Sequence, residues 1–221
     1  MTVPGTFDTS ARELIHAGLQ NLDEARSLFR QLSASGFDAA RCGLLLDALQ
    51  HVCDPDVALR NLVDIVNAQV SQGRALDDIM PDDTAFRQLV AVLGVSDAMG
   101  KLMRFRPDLV QAAATDHCNS HLYNHDQRRA HVLESVGADP NDRMSPTATM
   151  DLANAATALR RTYRNQLAAI IAQDTMSDDP IALQPRISSE LSDLADAALE
   201  GALAIARHEI TGSEHCRFAI I

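Results

Sequence analysis

Aromatic residues are scarce in this chain of 221 amino acids, which has six Phe, two Tyr and no Trp. Hydrophobic residues still make up 46% of the sequence, which is enough for a sizeable buried core. Such a core has to be built mainly from Leu, Ala, Ile and Val, and this composition favours packed helices. The length suits one large domain or two small lobes.

Cysteine is also rare, and the sequence has no Cys-x-x-Cys pair among Cys42, Cys53, Cys118 and Cys216. A disulfide scaffold is therefore not expected in a chain of this length. Cys42 and Cys53 fall in apolar segments and are expected in the core. The sequence shows no secretory signal and no apolar run long enough to span a membrane. These features predict a cytoplasmic protein in a reducing compartment, without membrane contact.

Positive charge is in the minority, because 19 Lys and Arg residues are outnumbered by 30 Asp and Glu residues. The net charge of −11 argues against nucleic-acid binding, which needs a net basic surface. We interpret a small basic patch, formed by Lys101, Arg104 and Arg106, as solvated surface. No phosphate-binding glycine loop and no catalytic triad with distinctive spacing is present. The motifs alone therefore place no active site in the chain.

Helical periodicity and capping signals predict that almost the whole chain is helical. Ser10 begins a capping box, and Asp38, Asp54 and Ser96 are expected to cap later helices. Gly94 is expected to end a helix in the left-handed conformation. The predicted helices cover residues 10–33, 38–52, 55–73, 84–93, 96–103, 107–114, 126–136, 150–176 and 187–210, with a short piece over 75–80 between the third and the fourth.

The first of two long helices, residues 150–176, shows one apolar stripe at helical spacing. The stripe consists of Leu152, Ala156, Leu159, Tyr163, Leu167 and Ile171. Arg160, Arg161 and Arg164 form a basic face elsewhere on the same helix. Asp174 lies close to the apolar stripe and at the unfavourable end of the helix dipole, so it is expected to need a donor or a cation.

The second long helix, residues 187–210, carries an apolar stripe and an acidic face. The stripe consists of Ile187, Leu191, Leu194, Ala198, Leu199, Ala202, Ala206 and Ile210. The acidic face consists of Asp193, Asp196 and Glu200. One interpretation is that this face pairs with the three arginines of the preceding helix as structural ion pairs. The alternative is that the arginines face a catalytic domain or an anionic substrate, because guanidinium groups match phosphate geometry.

A histidine-rich stretch offers a weaker metal hypothesis. His117, His121 and His125 recur every four residues, with Cys118 beside them, and imidazole and thiolate are ligands for zinc or copper. The stretch is otherwise polar and loop-like, so a surface connector is the simpler interpretation.

The last residues, 216–221, have the apolar pattern of a strand that is buried in an α/β sheet. A lone strand lacks hydrogen-bond partners, so we expect the chain to be part of a longer protein. The predicted organisation is an all-α, multi-helix lobe over residues 1–136, two long helices over 145–212, and the first strand of a truncated α/β domain over 215–221.

Four segments together resemble the family of glutamine synthetase adenylyltransferase/adenylyl-removing enzymes, and the sequence is most similar in character to actinobacterial members. They are residues 93–97 with 105–109, residues 159–164 with Ile170 and Asp174, residues 191–196, and residues 217–221. The resemblance extends from about Leu59 to the end. It implies that the chain is the N-terminal part of a bifunctional enzyme whose catalytic domains have the nucleotidyltransferase fold.

The resemblance also implies an activity and partners for the parent enzyme. It would transfer AMP from ATP to a tyrosine of glutamine synthetase and remove it by phosphorolysis, giving ADP, with Mg²⁺ held by carboxylates. P-II signal proteins and the remainder of its own chain would be further partners. Its Gly-Met-Gly-Lys turn and Asp-x-Asp pair are expected beyond Ile221, so this chain alone is predicted to be inactive and to bind no cofactor.

Within this chain, the resemblance makes seven residues candidates for facing the substrate or a catalytic domain. They are Arg160, Arg161, Arg164, Asp174, Ser192, Asp193 and Asp196. A self-contained helical interaction module, without catalysis, is the alternative hypothesis for the chain as a whole.

Overall fold

A computed structural model of the chain describes residues 9–114, 124–177 and 179–210. Over these ranges every regular element is an α-helix, which confirms the predicted all-α class. The predicted strand at 215–221 lies outside the described residues. None of the described helices is long and apolar enough to cross a membrane. The helices are α1 Ala11–His16, α2 Leu22–Ala34, α3 Ala39–Leu49, α4 Pro55–Ser71, α5 Leu76–Ile79, α6 Asp83–Val95, α7 Asp97–Met103, α8 Pro107–Ala114, α9 His125–Ser135, α10 Leu152–Thr175 and α11 Pro180–Glu209.

The described residues divide into two compact units. Unit 1 holds residues 9–114 together with 171–177, and unit 2 holds 124–170 together with 179–210. Residues 124–136 fall within the predicted N-terminal lobe of residues 1–136. In the structure they contain α9, which makes its contacts with α11 and therefore belongs to unit 2.

Unit 1 is arranged around α4 and α6, which pack against each other and against most of the other helices of the unit. Their fully buried side chains include Leu59, Leu62 and Ile65 from α4 and Leu89 and Leu93 from α6. This aliphatic core is the kind that the low aromatic content requires.

Side-chain caps fix where the helices of unit 1 begin. The carboxylates of Asp38, Asp54 and Asp82 accept backbone N–H groups in the first turns of α3, α4 and α6. Ser96 does the same for α7, and Ser10 forms a complete capping box at α1. The predicted caps at Ser10, Asp38, Asp54 and Ser96 are confirmed, and each depends only on residues within one helical turn.

The prediction of a single helix over residues 10–33 is wrong. The chain breaks after α1 at Gly18, whose φ of +82° is the left-handed conformation that glycine adopts most readily. Asn21 then caps α2, and the carboxylate of Asp56 accepts the backbone N–H groups of Gln20 and Asn21 at 3.0 and 3.3 Å. The apolar pattern continues through the break because Leu19 in the connection is also buried.

The prediction that Gly94 ends its helix is also wrong, since α6 continues to Val95. A Cβ atom on Gly94 would lie 2.8 Å from Cβ of Val52, so close packing explains the glycine. Cys53 was expected in the core but is exposed in the connection after α3, whereas Cys42 is buried as predicted.

Unit 2 is built from α9, the part of α10 up to Ile170, and α11. Helix α11 begins at Pro180 rather than near residue 187, because Asp179 caps it and Pro180 occupies its first turn. One apolar cluster joins Leu133 of α9, Ala155 of α10 and Ala204 of α11. A second cluster joins Ile170 of α10 to Ile187 and Leu194 of α11.

The predicted apolar stripes of the long helices are only partly buried. On α10, Leu152 and Tyr163 are exposed, while Ala155 and Ile170 are buried. On α11, the buried positions run three and four residues apart. They are Ile187, Glu190, Leu194, Ala197, Gly201 and Ala204, with Ile205 buried beside the last of them. Leu191, Leu199 and Ile210, which belong to the predicted stripe, are exposed.

The two glycines Gly94 and Gly43 make a matched test of the packing in unit 1. Gly94→Ala places a methyl group against Val52, so we expect a loss of about 1–3 kcal/mol in the free energy of unfolding. Gly43 lies in α3 with no atom within 4 Å of its would-be Cβ, so Gly43→Ala is expected to add about 0.5–1 kcal/mol. Urea denaturation followed by circular dichroism measures both, and equal effects would contradict the packing argument.

Candidate functional site

The acidic face of α11 is held by α9. Oδ1 of Asp193 lies 3.1 Å from Nδ1 of His125. Both carboxylate oxygens of Glu200 accept hydrogen bonds from Arg129, at 2.7 Å from Nε and 2.6 Å from Nη2. The interpretation that these two acids pair with the arginines of α10 is therefore wrong.

The arginines of α10 are displayed on the surface of unit 2. Arg160 and Arg161 are exposed and Arg164 is half-buried. Nε of Arg160 donates to the carbonyl oxygen of Ala156, one turn earlier in the same helix, at 2.9 Å. Arg160 thus makes this contact within its own helix.

The remaining candidates are at the surface as well. Asp174 is exposed, so its carboxylate is open to solvation and does not require the donor or cation that the sequence led us to expect. Ser192 is exposed and donates to the carbonyl oxygen of Ser188 at 3.0 Å, and Asp196 is exposed. The structure therefore brings Asp193 to α9, while Asp174, Ser192 and Asp196 stay at the helix surface.

Of the four residues in the metal hypothesis, His117, Cys118 and His121 lie outside the described residues. His125 begins α9 and contacts Asp193, as described above. The described part of the chain holds no group of three or more His, Cys, Asp or Glu side chains placed to bind a metal ion.

A buried polar network at the centre of unit 2 was not predicted. The Arg128 side chain is only 1% exposed, and its Nη1 donates to Oε1 of Gln166 on α10 at 2.8 Å. Its Nη2 lies 3.7 Å from Oε2 of Glu190 on α11, which is an ion-pair contact beyond hydrogen-bond distance. The other carboxylate oxygen, Oε1, accepts a hydrogen bond from Nε of Arg186 at 3.0 Å. The signal was present, since Glu190 interrupts the buried stripe between Ile187 and Leu194 at the spacing of a core residue.

A second arginine fixes the loop between α9 and α10. Arg129 donates from Nη1 to the carbonyl oxygen of Pro140 and from Nη2 to that of Asp142, in addition to its bonds to Glu200. The carboxylate of Asp142 accepts the backbone N–H groups of Ser145 and Met144. These two hydrogen bonds, with the charges of Arg207 and Arg129, hold the pKa of Asp142 below its usual range. The loop is thus a fixed part of unit 2.

Unit 1 contains a cavity of about 420 Å³, which is in the size range of small-molecule sites. Its walls combine apolar and polar side chains from α3, α6, the end of α10 and the residues that follow α3 and α10. The lining residues are Ala48, His51, Val52, Arg87, Ala91, Thr175, Met176 and Ser177. Arg87 forms an ion pair with Asp47, and this contact is the main reason why the pKa of Asp47 is lowered. The cavity therefore presents no uncompensated arginine to a ligand.

Comparison with known proteins relates the whole chain to one family. It is 65% identical over 97% of its length to the bifunctional glutamine synthetase adenylyltransferase/adenylyl-removing enzyme of Bifidobacterium longum (strain DJO10A). The proteins of that name from Leifsonia xyli and Cutibacterium acnes are 31% and 28% identical over 93% and 95% of the chain. No protein-family profile and no solved structure matches the chain.

By this similarity the chain belongs to the glutamine synthetase adenylyltransferase/adenylyl-removing family, and the predicted resemblance is confirmed. The chain spans about a fifth of the length of the curated relatives that it matches. The similarity therefore covers the helical units described above and leaves most of each relative outside the comparison.

The buried Arg128–Glu190 contact can be tested by removing one partner and then both. Glu190→Ala leaves the guanidinium of Arg128 buried without its countercharge, so we expect a loss of about 3–5 kcal/mol in the free energy of unfolding. The double change Arg128→Met with Glu190→Leu is expected to recover most of that loss, because no charge then remains buried. Urea denaturation of the three proteins measures the difference.

Arg186→Ala is the matched control, because Arg186 contacts the same carboxylate from a half-exposed position. Its loss is expected to be at most about 1 kcal/mol. A loss as large as that of Glu190→Ala would show that the exposed arginine, and not Arg128, balances Glu190.

Proposed function

We propose that the protein to which these residues belong attaches AMP to glutamine synthetase and removes it, as the names of its relatives state for them. The observation that carries this proposal is the 65% identity over 97% of the chain. An identity of this extent covers both helical units rather than a single motif. Glutamine synthetase is then the protein substrate, and P-II signal proteins are the proposed regulators.

Within that protein, the 221 residues serve as a helical frame for the adenylyl-removing site of the N-terminal half. Mg²⁺ and ATP or ADP bind to catalytic residues that lie outside this chain. Two features of the structure support a framing role. Asp193 and Glu200 on α11 are engaged by side chains of α9, and the buried network around Arg128 fixes the three helices of unit 2 to one another. Both features serve packing rather than chemistry.

The assignment is tested by comparing the full-length protein with the 221-residue chain. Both are incubated with Mg²⁺ and phosphate on adenylylated glutamine synthetase, and released ADP is measured. Transfer of AMP from ATP to unmodified glutamine synthetase is measured in parallel. We expect both reactions with the full-length protein and neither with the chain alone. A full-length protein inactive in both reactions would refute the assignment, and an active 221-residue chain would refute the framing role.

The arginines of α10 are the surface residues of unit 2 that we propose to face the anionic substrate or a catalytic domain. Replacing Arg160, Arg161 and Arg164 together by Ala in the full-length protein is expected to lower the rate of AMP removal by about tenfold or more, because charge-assisted contacts to phosphate are lost. The free energy of unfolding is expected to change by less than about 1 kcal/mol, since Arg160 and Arg161 are exposed.

A triple change in unit 1 is the matched control. Arg12, Arg30 and Arg74 are exposed, and Nε of Arg30 donates to a carbonyl oxygen one turn earlier, as that of Arg160 does. Replacing these three by Ala changes the net charge equally and is expected to leave the rate unchanged. Equal losses in both triple variants would show an effect of net charge alone, and no loss in either would show that the α10 arginines are solvated surface.

A further inference from the structure

Helix α11 carries two neighbouring stripes of apolar residues, and only one of them is covered. The buried stripe contains Ile187, Leu194 and Ala204, which pack in the two apolar clusters of unit 2. The second, which we call the outer stripe, consists of Leu191, Ala195, Leu199, Ala202, Ala206 and Ile210. Leu191 is 42% exposed, Leu199 43% and Ile210 60%.

The outer stripe has the spacing of a packed helix face. Its members follow one another at intervals of four, four, three, four and four residues, so they align along one side of the helix. With a rise of about 1.5 Å per residue, the stripe is about 28 Å long. Asp193, Asp196 and Glu200 lie at other positions around the helix, whereas Glu209, five turns after Leu191, falls at the edge of the stripe near its C-terminal end. A long, exposed apolar face with a charge only at its end is typical of a contact surface.

We propose that the outer stripe of α11 packs against the part of the full-length polypeptide that lies outside these 221 residues. This inference rests on the proposed function, in which the chain is a segment of a longer enzyme. The relatives support it by their length, because the matching chain spans only about a fifth of them. A surface that packs against the remainder of the polypeptide in the full-length protein is exposed in the 221-residue chain.

The composition of the outer stripe indicates that its packing partner belongs to the same polypeptide and not to a separate protein. Interfaces between proteins that associate and dissociate are enriched in Tyr, Trp and Arg at their centres, with polar groups around them. The stripe holds Leu, Ala and Ile alone, which is the composition of a domain core. Covalent linkage also gives a segment an effective concentration in the millimolar range, so a narrow apolar stripe is sufficient.

The labelling rate of a cysteine introduced on the outer stripe measures whether another part of the protein covers that stripe. Leu199→Cys introduces a thiol on the outer stripe, and Ser189→Cys introduces one at an exposed polar position of the same helix. Each variant is made in the full-length protein and in the 221-residue chain, and labelling by a maleimide at that position is followed by mass spectrometry. We expect labelling at position 199 to be slower by about tenfold or more in the full-length protein, and labelling at position 189 to be equal in both.

The other possible occupants give different results, each of which overturns the proposal. Slow labelling at position 199 in the 221-residue chain would place the cover within the chain itself. Protection that rises with protein concentration would indicate a second copy, and protection only after glutamine synthetase is added would indicate that partner. Equally fast labelling at positions 199 and 189 in both proteins would show that nothing covers the stripe. The measurement needs no substrate or turnover, so its failure is distinguishable from failure of the AMP-transfer assay.

Discussion

The buried contact of Arg128 with Glu190 is the constraint on which unit 2 depends. A charged side chain removed from water is costly unless a countercharge and hydrogen bonds compensate it. Gln166 on α10 accepts a hydrogen bond from Nη1 of Arg128, and Glu190 on α11 supplies the countercharge at 3.7 Å from Nη2. Sliding any of the three helices by one turn would separate these groups. The contacts of Arg128 with Gln166 and Glu190 therefore favour one alignment of α9, α10 and α11.

This alignment decides which polar groups of the long helices remain for other roles. Glu200 is bound by Arg129, which at the same time holds the loop before α10 through two carbonyl oxygens. Asp193 contacts His125. The acids that looked available in the sequence are thus part of the frame, and the exposed arginines of α10 are left as the residues with a proposed role at the substrate.

Local signals in the sequence predicted more of the fold than the apolar stripes did. The cap at Asp38 and the start of α7 at Ser96 depend on residues within one turn, and both were predicted correctly. Gly94 was misjudged because its neighbour Val52 lies in the connection after α3, and Glu190 was missed because its neighbour Arg128 lies on α9. The candidate site shows the same limit, since the position of a charged residue on a helix does not identify which neighbouring helix will face it.

The predicted apolar stripe of α11 is wider than the face that the structure buries. The predicted stripe combined residues that the structure buries, such as Ile187 and Leu194, with residues that it exposes, such as Leu191 and Leu199. A sequence pattern reflects every surface that a helix buries in its natural protein, whereas the structure of these residues shows only the contacts made among them. An apolar face wider than the buried one is therefore expected where a helix has a further neighbour. On α11 the excess lies on one side and follows helical spacing, which is the pattern that a missing packing partner leaves.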